Sequence, residues 1–112
     1  MSIETIIRPK INRQPKAKKD PKRMPLFNVI LLNDDDHTYA YVIEMLGVIF
    51  AYSPEKAFKM AEEVDHTGRV IVATLHLEMA ELKRDLIHAY GADWRLERSA
   101  GSMSAYLEEA PG

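Results

Sequence analysis

The spacing of apolar residues changes along this chain, and each change predicts an element. At 26–32 the run Leu-Phe-Asn-Val-Ile-Leu-Leu is short, aliphatic and ended by polar residues, which predicts a strand. After the polar loop 33–37, Thr38 is placed to cap a helix whose apolar positions Val42, Met45, Leu46 and Ile49 recur at i, i+3, i+4 and i+7, ending near Phe50 or Ala51. Ser53 and Pro54 form the cap and first-position pair of a second helix, with Ala57, Met60, Ala61 and Val64 on one face. The turn Asp65-His66-Thr67-Gly68 is expected to stop that helix, and the apolar run 69–75 reads as a buried strand.

A third helix is predicted over about 77–90, with Met79, Leu82, Leu86 and Tyr90 along one side and Gly91 as its terminating residue. Beyond a loop containing Trp94, the segment 103–107 predicts an edge strand. The order β-α-α-β-α-β predicts a small α/β (α+β) sandwich, a three-stranded antiparallel sheet packed against three helices.

Charge divides the chain in two. Residues 1–24 carry eight Lys or Arg against Glu4 and Asp20, a net of +6, while residues 25–112 carry seven against fifteen, a net of −8. Pro9, Pro15 and Pro21 break any helix in the first part, so 1–24 is expected to be a flexible basic extension and 25–112 the folded domain. The extension reads either as a solubilising leader or as an electrostatic contact for an acidic partner. It has no aromatic residue for base stacking, and the acidic domain behind it repels phosphate, so no nucleic-acid partner is expected.

Cysteine is absent, which removes disulfides, thiolate metal sites and cysteine nucleophiles. Apolar runs are far shorter than the roughly 20 residues of a membrane span, and 1–24 lacks the apolar core of a secretory signal. A cytoplasmic protein without a membrane partner is expected.

Candidate chemistry concentrates in the loop Asn33-Asp34-Asp35-Asp36-His37. Thr38-Tyr39-Ala40 supplies neither the glycine turn nor the further ligands of a calcium loop, so no metal or other cofactor is expected. Two readings of the loop stay open: carboxylates that bond local amides and favour a helix N-terminus, or acceptors at the rim of an apolar groove that hold a cation such as a peptide's α-ammonium group. Asp65 and His66 lie where the second strand's pairing could bring them to the same rim. The serines lack a nucleophile-elbow context, there is no glycine-rich phosphate loop, and His37, His66, His76 and His88 follow no metal-binding spacing, so no catalytic residues and no enzyme activity are expected.

Val29-Ile30-Leu31-Leu32-Asn33-Asp34-Asp35, followed by Tyr41-Val42-Ile43 on the next predicted helix, resembles the core signature of the ClpS adaptor family. Glu55-Lys56-Ala57, the Gly68 turn with its apolar strand, and Glu78-x-Ala80-Glu81-x-Lys83 are similar to successive family elements, so the resemblance spans about 25–90. It implies a monomeric adaptor that binds proteins by a bulky hydrophobic N-terminal residue and delivers them to the N-terminal domain of a ClpA- or ClpC-like AAA+ unfoldase. Asn33 and Asp34 match the family positions that accept bonds from the substrate α-amine. The implied apolar pocket is Leu32, Tyr39, Val42, Ala61 and Val64, and the implied unfoldase contact is Glu78 and Lys83.

The family commonly has His directly after the Val that ends the second helix; Asp65 stands there and His66 follows, both expected at the amine. Tyr39 occupies a pocket-mouth position often held by Met. The alternative reading is a module that binds or inhibits an unfoldase without recognising N-terminal residues.

Overall fold

A computed structural model describes residues 24–112; the basic extension lies outside the described residues but for Met24. The elements are β1 (Leu26–Leu32), α1 (Tyr39–Phe50), α2 (Pro54–Thr67), β2 (Arg69–His76), α3 (Leu77–His88) and β3 (Ala105–Glu109). This is the expected β-α-α-β-α-β order, with an antiparallel sheet in the order β2-β1-β3.

The central position of β1 explains its uncharged composition. Val29, Ile30 and Leu31 are each fully buried, and the one polar residue among them, Asn28, accepts a bond from the Thr74 hydroxyl at 2.7 Å. Because strand side chains alternate faces, Val29 and Leu31 join the core under the helices. That core also takes in Tyr41, Val42, Met45, Leu46 and Ile49 of α1, Ala57, Ala61 and Val64 of α2, Val70 and Val72 of β2, Ala80 and Ile87 of α3, and Met103 and Ala105 near β3.

Both predicted caps form. Thr38 accepts from the Tyr41 N–H at 3.1 Å, and Ser53 accepts from the Lys56 N–H at 3.2 Å. Gly68 ends α2 at φ 91°, a conformation that suits glycine. Ala51 ends α1 in the same left-handed region, at φ 60° and ψ 30°, where a Cβ is strained. Ala51→Gly is therefore expected to stabilise the protein by about 1 kcal/mol, seen as a rise in the thermal midpoint; an unchanged or lower midpoint would mean that the turn carries no such strain.

The largest differences from the expected boundaries are at three elements. The helix α2 continues through Asp65, His66 and Thr67 instead of stopping before them; α3 ends at His88; and β3 begins at Ala105. On α3 the side marked by the larger apolar residues is not the buried one. Ala80 and Ile87 are fully buried, whereas Met79, Leu82 and Leu86 are 41–49% exposed. The small Ala80 lets the helix lie close to the sheet, so the larger apolar residues are left on the outer side.

Candidate functional site

At the end of β1 the chain is held from both sides. The Leu32 N–H donates to the Ser104 carbonyl and the Asn33 N–H to the Gly68 carbonyl, each at 3.0 Å. The chain then turns through 33–37, where Asp34 Oδ1 accepts the Asp36 N–H at 2.9 Å, the local bond that Asp commonly makes in a turn. This puts the acidic loop between the start of α1 and the end of α2.

A pocket of about 470 Å³ opens there. Asn33, Asp34, Asp35 and Asp65, whose side chains carry acceptor oxygens, line it together with the apolar Val42, Ala61, Val64 and Met103. Tyr39 crosses from one helix to the other: its hydroxyl donates to Asp65 Oδ2 at 2.7 Å, and its ring packs against Phe58 at 5.7 Å. The bond to Asp65, with some burial and the charges of Asp65 and Glu62, pushes the Tyr39 phenol up to about 12, so it stays a donor through the physiological range.

The expected site residues separate. Asn33, Asp34, Tyr39, Val42, Ala61, Val64 and Asp65 all line this pocket. Leu32 does not: it alternates with Leu31 and points with Ile30 away from the helix-side core. His66 does not either. Because α2 continues past it, His66 is turned about 100° from Asp65, and its imidazole is 70% exposed with Nε2 at 3.9 Å from Asp65 Oδ2. On α3, Glu78 is exposed, while the Lys83 ammonium donates to the Ile49 carbonyl at 2.6 Å near the end of α1.

Several long-range contacts around the site carry no signal in the sequence pattern. Asp93 is 1% exposed; its Oδ2 accepts both the N–H and the hydroxyl of Thr38 at 2.8 Å, and its Oδ1 accepts the Arg95 N–H at 3.0 Å and guanidinium at 3.1 Å. Burial alone would raise the Asp93 carboxyl, but these donors outweigh it and hold it at about 2. Asp93 thus fixes the residue that caps α1.

Arg98 lines the pocket and donates to the Asp35 carbonyl and, at 3.1 Å, to Asp36 Oδ1. His37, with a side chain only 4% exposed, lies between Asp34 Oδ1 and the Gly101 carbonyl, each 2.7 Å from a ring nitrogen. The segment 98–103 therefore closes one side of the acidic loop. Among the described residues, no group of three or more His, Asp or Glu could hold a metal ion, and no helix is long and apolar enough to cross a membrane.

Comparison with known proteins places this geometry. Residues 22–94 match the family model described as ATP-dependent Clp protease adaptor protein ClpS. The chain is 34% identical over 87 residues to the ATP-dependent Clp protease adapter protein ClpS of Edwardsiella ictaluri, covering 74% of this chain and 82% of that one. It is 35% identical over 91 residues to the adapter of the same name from Gloeobacter violaceus, covering 80% of this chain and 89% of that one. Among solved structures it is similar in fold to Agrobacterium tumefaciens ClpS2 bound to L-phenylalaninamide, with a TM-score of 0.64 and 23% identity over 79% of this chain and 100% of the other. A family match over most of the described domain, on a fold that presents the matched loop at a pocket, leaves one assignment: the chain belongs to the ClpS family of Clp protease adaptors.

Proposed function

We propose that this protein binds substrates by the α-ammonium group and bulky hydrophobic side chain of their N-terminal residue and delivers them to a Clp AAA+ unfoldase. The observation that carries this reading is the pocket itself, with acceptors of Asn33, Asp34 and Asp65 at a cavity whose wall includes Val42, Ala61, Val64 and Met103. A primary ammonium offers three donors and one positive charge, which suits such a rim. The adjoining side chain loses water against the apolar wall. The ligand of Agrobacterium tumefaciens ClpS2, L-phenylalaninamide, combines those two features, an α-amine and an aromatic side chain.

In this reading the protein acts in the cytoplasm as a monomer, without a cofactor, and peptide-bond cleavage belongs to its partner protease. Glu78 at the start of α3 faces the unfoldase's N-terminal domain; Lys83 contributes charge there while tied to Ile49. A peptide set varying only in its first residue tests the reading. Leu, Phe, Tyr and Trp are expected to bind and Asp, Glu and Gly are not; indifference to the first residue would refute it.

One observation favours a second reading, an unfoldase ligand without N-terminal recognition: the Tyr39 hydroxyl already occupies one oxygen of Asp65 at the pocket. A delivery assay separates the extension's role. Deleting residues 2–22 is expected to spare peptide binding and slow degradation of the bound substrate; undiminished degradation would make the extension a leader only.

A further inference from the structure

We propose that His37, in its doubly protonated form, is the positioning residue of the amine site, locking Asp34 to the C-terminal segment at Gly101. This rests on the amine-binding reading above and adds to it a residue and a charge state. Both ring nitrogens of His37 face oxygens at 2.7 Å, Asp34 Oδ1 and the Gly101 carbonyl. A backbone carbonyl and an ionised carboxylate can only accept, so with Asp34 ionised both nitrogens must donate. Only the imidazolium does so; a neutral ring turns a bare lone pair on one of the two oxygens.

The surroundings are consistent with this state. From the loop the ring meets Asp34, with Asp36 tied to Arg98; from α1 it meets the Tyr41 ring at 4.5 Å; from the C-terminal segment it meets the Ser99 hydroxyl at 3.4 Å and Gly101. Asp93 holds the adjoining Thr38. Oδ1 carries both bonds that described residues make to Asp34, and this fixes the carboxylate at the pocket. Gly101 lies beyond the 22–94 family match, so the clasp joins the matched loop to a segment outside it.

The test has two readouts. Long-range proton–nitrogen NMR of the full chain is expected to find both His37 nitrogens protonated in acid, each donating to its oxygen. Binding of a Phe-initiated peptide is then measured for wild type and His37→Gln across the same pH range. The ratio of the two affinities cancels the titration of the peptide's own amine. It is expected to be about tenfold at acid pH, the size of a lost bond to a charged group, and to shrink toward one in alkali.

A ring found neutral in acid, or an affinity ratio that does not move with pH, would overturn the proposal. Chemical shifts of the variant's amides confirm that it remains folded. Because the NMR readout needs no peptide, failure of the clasp and failure of the amine reading are seen separately.

Discussion

Asp93→Ala is expected to destabilise the protein by about 3 kcal/mol, among the largest effects available from one polar side chain, because it removes a buried charge and strands its donors. The carboxylate satisfies the N–H and hydroxyl of Thr38 and two donors of Arg95. Thr38 in turn caps α1 through the Tyr41 N–H, so the loss passes from the 91–103 segment to a core helix. For a domain of this size the thermal midpoint should fall by roughly 15 °C. Asp93→Asn keeps the shape but turns an amide donor toward donors already present, and it is expected to lose most of the same stability.

The acid dependence follows from the sign of the shift. The Asp93 carboxyl sits at about 2 in the folded protein, below its ordinary value of 3.8. Its contribution is therefore complete above the ordinary value and is lost as pH falls through about 4 toward about 2. Stability measured by denaturant titration should drop through that window in wild type more steeply than in Asp93→Asn. Parallel curves would show that the folded carboxyl is not held low.

Asp34→Ala is expected to weaken binding of a peptide with a free N-terminus by about 2 kcal/mol, or about thirtyfold in Kd, the scale of a charge-assisted hydrogen bond. Truncation also removes the acceptor of the Asp36 N–H and His37, so the loss mixes charge with loop geometry. Asp34→Asn separates them. It keeps an oxygen for these local donors and lacks the negative charge, and it is expected to recover part of the loss. Isothermal titration of the three proteins with one peptide measures both steps; equal affinities would remove Asp34 from the site.

Most of the fold was legible because its signals are local. The apolar run at 26–32, the caps Thr38 and Ser53, and the Gly68 turn depend on residues a few positions apart. The inward face of α3 was not, because periodicity marks apolar residues without saying which side packs, and close approach at Ala80 favoured the side with smaller groups. Within the site, Asn33, Asp34 and the α1 and α2 residues follow from one motif and two helical faces. Arg98 was silent because its partners in the loop lie more than 60 residues away, and His37, read only as part of the acidic loop, gave no sign of its bond to Gly101. Met103 lies at the pocket just ahead of β3, which pairs with β1, a juxtaposition that sequence spacing does not report. Asp65 and His66 were read together from a predicted turn, and continued helix separates their directions.

The charge of the substrate amine is the central claim. It is tested most directly by titrating the full-length protein with a Phe-initiated peptide and with the same peptide N-acetylated. The free amine has a pKa of roughly 7.7 to 8.0, so its binding should be strong at neutral pH and decline in alkali, while the acetylated peptide should not bind at any pH. Equal affinity for the two peptides would contradict recognition of an N-terminal ammonium at Asn33 and Asp34.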